Sequence, residues 1–229
     1  SCPAGRRTLP AHGRAAHAEA PHIREGLAAL APRRALAVAV IVLGVAVTIS
    51  SGTWIGGVPT LVRDTLHHGA GGFALVMVGY AVGSIASGAF LARVEIRRKA
   101  LVSLAAWTLY LPAYGLLAFG SSLAIACVAA ACAAVGQSSA VVLVNSAAQE
   151  EVPDEVLGRV VGLISLTHRG AHATGLLFVS VWFAFVSPPA VFAAAAVALP
   201  LVGLIGLAIA LRNPGDEAPA PESRRTRRS

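Results

Sequence analysis

The chain has 229 residues, of which 56% are apolar and only 13% charged, with a mean hydropathy of +0.71 and a net charge of +7. A soluble domain carries about 25% charged residues, so the composition excludes an ordinary soluble protein and points to an integral membrane one. The positive charge does not signal nucleic acid, because the arginines sit at the ends of apolar runs rather than on one polar domain.

Residues 1–34 form a basic segment without an early apolar stretch, so no signal peptide is expected. The first residue is not Met, and the chain is therefore expected to be a fragment or a processed product. Disorder is expected over 1–21, which is rich in Pro, Gly, Ala, His and Arg. From 21 to 32 the apolar residues recur at helical spacing, which predicts a short amphipathic helix at the membrane surface. Arg33 and Arg34 then anchor a first span.

Six apolar runs predict transmembrane helices over 35–55, 72–91, 100–119, 122–147, 160–186 and 189–211, an all-α bundle over 35–211. Trp54 closes the first as an interfacial anchor, and Pro112 is expected to kink the third. The tail 212–229 is polar, basic and expected to be disordered. With six spans, sixteen of the arginines and lysines fall on the side that holds both termini, against Arg63 on the other. The positive-inside rule then makes both termini cytoplasmic, in a multi-pass protein of the plasma membrane. Cys127 and Cys132 lie inside an apolar run and are expected to pack as small apolar residues, with no disulfide framework. Gly79, Gly83 and Ser87 recur every four residues in the second run, with Ser84 and Gly88 beside them, which suits close helix packing.

The fifth run is the centre of the chain. As a helix it would be roughly 40 Å long, enough to cross a hydrocarbon core with some tilt. His168 and Arg169 interrupt it, and an arginine at that depth should face other helices or a wet cavity.

Four segments carry a family likeness. They are Ile23-Arg24-Glu25-Gly26-Leu27, the stretch 58–66 after the first run, Gly79-Tyr80-Ala81-Val82-Gly83-Ser84, and the acidic connector 152–160, Val-Pro-Asp-Glu-Val-Leu-Gly-Arg-Val. Over about residues 22–212 the chain resembles the C-terminal half of a major facilitator superfamily transporter, in the branch of macrolide and enterobactin exporters. The superfamily's basic loop motif is partly kept at Gly88, Arg93, Arg97 and Arg98, but Ala92 stands where an aspartate is usual and Glu95-Ile96 interrupts the second half.

The resemblance implies a secondary transporter that exports a small hydrophobic or siderophore-like compound by proton antiport and alternating access. Its partners would be the bilayer, the small-molecule substrate and either a missing N-terminal six-helix half or a second copy, with no nucleic acid. Arg169 and Gln137, with the aromatic Tyr80, Trp107 and Tyr110, are the expected liners of the substrate cavity. His168 and His172, four residues apart on one face, could relay protons. Metal binding there would need further ligands and none is evident, so neither a metal nor a cofactor is expected. On the cytoplasmic side the acidic connector Glu150, Glu151, Asp154 and Glu155, beside Arg159, is expected to pair with the basic 93–99 loop and lock one state, with Arg93, Arg97, Arg98, Glu155 and Arg159 as the gating residues.

Two other classes remain. One is a non-transporting membrane scaffold or remnant. The other is an intramembrane hydrolase using Ser84 or Ser87 with His168 or His172, which no spacing favours, so an enzyme is not expected. No nucleotide-binding loop is present, which excludes ATP-driven transport by this chain alone.

Overall fold

The computed structural model describes residues 24–183 and 185–212. The ends expected to be disordered, 1–21 and 213–229, and Cys2 lie outside the described residues. Residues 24–30 are helical, where the amphipathic segment is predicted. Six long helices follow. We number them α1 (Arg34–Thr65, its last turn a π-helix from Leu61), α2 (Ala70–Leu91), α3 (Lys99–Phe119), α4 (Leu123–Glu151), α5 (Asp154–Trp182) and α6 (Pro188–Leu211).

Five of them, all but α5, are long and apolar enough to cross a membrane. The fifth is equally long, at 29 residues, but Ser165, His168, Arg169, His172 and Thr174 dilute its apolar character. The predicted run 160–186 is thus a helix that starts six residues earlier, inside the acidic connector, and has one polar flank.

The first span is the other large difference. The predicted run ends at residue 55, yet the helix continues to Thr65. Packing overrides the local signal: Val58, Leu61 and Val62 are buried, and Gly57 lies against the ring of Phe192. The positive φ of His67 (55°) then ends the run, in the left-handed conformation common after a helix. Stretch 58–66, read as an outer loop, is therefore mostly helical.

In α3 the regular α-helix is interrupted just before Pro112, where a kink is predicted. Its ring removes one backbone hydrogen bond and crowds the carbonyl four residues back, at Thr108. The helix tightens to a 3-10 turn over Trp107–Leu109.

Helix α1 is central, packed on α5, α6 and α3, while α2 packs mainly on α4. The core is an aromatic column. Trp107 stacks on Tyr110 (5.4 Å), Tyr110 meets Tyr114 edge-on (4.9 Å), and Tyr114 meets Phe192 of α6 (5.2 Å). The Tyr114 hydroxyl donates to the Ser50 carbonyl of α1 at 3.0 Å, fully buried. Tyr114→Phe should therefore cost about 1 kcal/mol of stability, read by chemical denaturation in detergent.

The second seam joins α2 to α4. A Cβ on Gly83 would stand 2.2 Å from the Ala131 carbonyl oxygen, and one on Gly79 2.6 Å from that of Cys127. Ser138 donates to Ser84 at 3.2 Å, and Ser87 and Ser139 share a hydrogen bond of 2.9 Å. Small residues bring the two backbones together and hydroxyls fasten them. Cys127 and Cys132 are free thiols on the same helix.

Candidate functional site

Helix α5 supplies the feature that the other helices lack, two chemically distinct faces. At about 100° per residue, Val160, Ile164, Ala171 and Gly175 fall on one side. All four are buried. That side meets α1 closely: Thr167 lies against Gly44, and a Cβ on Gly175 would stand 2.3 Å from the Thr48 carbonyl. The opposite side carries Gly158, Gly162, Ser165, Arg169 and Ala173, all exposed. Nothing lies within 4 Å of where a Cβ on Gly158, Gly162 or Gly170 would stand.

Arg169 sits in the middle of this open stripe, about 22 Å along the axis from Asp154. An arginine at that depth facing hydrocarbon costs about 2.5–3.5 kcal/mol or more. A glycine in a helix interior costs about 1 kcal/mol relative to alanine. An open stripe that holds several glycines and a guanidinium is poorly suited to lipid and well suited to a close-approaching body or a wet cavity.

His168 and His172 lie at the edge of the stripe, their rings edge-on with centroids 4.8 Å apart. The Nε2 atom of His168 is buried and has no hydrogen-bond partner. No Asp or Glu stands inside the described helices away from their end turns. The two histidines are therefore the side chains of the bundle interior whose ordinary titration lies nearest neutral pH.

The remaining predicted liners are placed differently. Trp107 and Tyr110 are 1% exposed, inside the aromatic column between α3 and its neighbours. Tyr110 donates to Gln137 Oε1 at 2.7 Å, so two residues singled out separately are partners. Gln137 is half-buried, as is Tyr80, whose ring packs against Trp54 at 4.9 Å. Trp54 is thus a packing residue as well as a belt candidate. Arg169, Gln137 and Tyr80 stand on three helices, and among the described residues no hydrogen bond or ring contact joins any two of them. Sequence reasoning missed the glycine stripe, although its spacing, opposite the Val160, Ile164 and Ala171 stripe, was available.

At the end of the bundle nearest residues 24–34, ion pairs form with other partners. Lys99 reaches Glu150 and also donates to Ser146 at 2.8 Å, joining the basic loop to the acidic end of α4. Arg159 pairs with Glu25, and Gly26 lies against the Arg159 carbonyl, so segment 24–30 docks on the start of α5. Arg33 donates to the Glu151 carbonyl at 2.6 Å. No ion pair among the described residues joins Arg97 to Glu155. The exposed Arg159–Glu25 pair is worth about 1 kcal/mol at most. Ser84 and Ser87, the hydrolase candidates, are hydrogen-bonded to serines of α4 and not to a base.

A model of the transmembrane secretion effector family matches residues 20–227. No curated protein matches the chain, and no solved structure does.

Proposed function

We propose an export function on one premise: the chain belongs to the transmembrane secretion effector family, a major facilitator type of transporter. Transport across a membrane is the family's business. The finer reading is that this bundle is the C-terminal half of an exporter of a small hydrophobic or siderophore-like compound. It works by proton antiport with alternating access. All six helices span the membrane, α5 with its polar flank turned from lipid, and both termini are cytoplasmic.

The observation that carries this reading is the open stripe on α5. A single bundle gains nothing from leaving Gly158, Gly162 and Arg169 uncovered. A second six-helix body facing them would close a cavity with Arg169 in its wall. That body is either an N-terminal half or a second copy. Gln137 and Tyr80 contribute polar edges from α4 and α2, while Tyr110 holds Gln137 in place and Trp107 buttresses Tyr110. His168 and His172 are the proton-carrying candidates, since the described helices carry no carboxylate away from their end turns.

Ethidium serves as a probe of the hydrophobic class. Cells producing the protein should accumulate less of it than cells lacking it, and a protonophore should abolish the difference. Equal accumulation would overturn export of such compounds.

A further inference from the structure

The histidine pair of α5 can hold a ligand whether or not the chain exports anything. His168 and His172 stand four residues apart, so they project from one side of the helix, one turn from each other. Both are half-buried, with ring centroids 4.8 Å apart and ring planes at 88°. The Nε2 atom of His168 is buried without a partner, and neither ring makes a hydrogen bond to a described residue or to the other ring. A buried imidazole nitrogen left in that state is costly, and it points to a ligand that the chain itself does not supply.

The separation of the rings suits a shared metal ion. An imidazole nitrogen stands about 2.0–2.1 Å from a bound Zn²⁺, and at bond angles of about 90–110° the centroids of two rings sharing one ion fall roughly 4.5–5.2 Å apart. The observed separation lies inside that range. Among the described residues no third His, Cys, Asp or Glu joins the pair. Water therefore completes the coordination, from the side on which α5 is open. Such a site exchanges its ion, unlike a structural site closed by four protein ligands. Arg169 is the neighbouring charge. It projects about 100° away around the helix, so it takes no position in the site, but it weakens the binding of any cation.

We propose that His168 and His172 chelate a divalent transition-metal ion of the class of Ni²⁺, Cu²⁺ and Zn²⁺. Neutral imidazole suits these ions, whereas Mg²⁺ and Ca²⁺ take oxygen ligands. The bound ion keeps both rings neutral. In an exporter that carries protons on these rings the ion stops transport; that consequence rests on the proposed function, and binding does not.

The test titrates the purified full chain, free of any polyhistidine tag, with Ni²⁺ and separately with Mg²⁺ in detergent. Calorimetry reads the number of ions bound, and thermal unfolding reads stabilisation. The other five histidines form a background: three precede residue 24, and His67 and His68 follow α1. His168→Phe and His172→Phe keep a flat ring and remove the nitrogens. Each should bind one equivalent of Ni²⁺ fewer than the parent, or bind that equivalent at least about tenfold more weakly, because two ligands on one rigid helix act together. Each should also lose the rise in unfolding temperature that Ni²⁺ gives the parent. His168→Gln and His172→Gln should give the same result with a polar side chain kept in place. A variant with both His67→Ala and His68→Ala should keep the site, and Mg²⁺ should not compete for it. Unchanged Ni²⁺ binding in the His168 and His172 variants, loss of the site with His67 and His68 instead, or equal competition by Mg²⁺ would each overturn the assignment.

Discussion

Replacing Gly83 by leucine should cost the bundle about 3 kcal/mol or more, and so lower its unfolding temperature by roughly 10 °C. A Cβ at that position would already stand 2.2 Å from a backbone oxygen and 2.7 Å from the Cα of Ala131. Both are main-chain atoms of α4, which cannot swing aside as a side chain would. The two helices must separate. Separation also breaks the Ser84–Ser138 and Ser87–Ser139 hydrogen bonds, worth about 0.6 kcal/mol each inside a membrane.

Helix α2 has little else to hold it. Only 17% of its most apolar window is buried inside the bundle, against 44% for α4. A thiol-reactive dye would report the unfolding through Cys127 and Cys132, the partly buried thiols of α4. Gly88→Leu is the control, because nothing lies within 4 Å of where its Cβ would stand. It should unfold within a degree or two of the parent. If Gly83→Leu did the same, the α2–α4 seam would not be as close as described.

The number and order of helices were legible because hydropathy is a property of length and composition, and runs such as Gly72–Leu91 need no context to be recognised. What could not be read is rotation. Hydropathy hardly differs between the sides of α2, α4 and α6, so it does not say which side faces protein; only the Gly79, Gly83 and Ser87 spacing marked the packed side of α2. Trp107 and Tyr110 of α3 were as plausible in a cavity wall as in the core, where they lie, because an aromatic ring suits either place. Helix α5 is the exception, and its amphipathic pattern did carry the orientation. The first span is longer than predicted for a related reason: Gly57 packs against Phe192 of α6, distant in sequence, and Val58 and Leu61 are buried. Charge complementarity correctly brought the acidic connector and the basic loop together, but Lys99 pairs with Glu150 because both stand on helix ends that already abut.

Arg169→Ala should lower ethidium export by at least about tenfold and leave thermal unfolding unchanged. A guanidinium that pairs with a carboxylate of the facing body contributes about 1.5–3 kcal/mol through charged hydrogen bonds, and each 1.4 kcal/mol is a factor of ten. The same side chain touches no described residue by hydrogen bond or ion pair, and it is exposed on the bundle, so its loss removes nothing that holds the six helices together. Arg169→Lys separates two roles. A lysine keeps the charge but not the planar fork, so partial export would mean that charge suffices, and loss as deep as that of alanine would mean that bidentate geometry is needed. The alternative role, an arginine that only snorkels toward the interface, predicts the opposite pattern: export unchanged and stability the same or higher after replacement by alanine. The two roles thus differ in which measurement moves, and export together with unfolding in the same preparations decides between them.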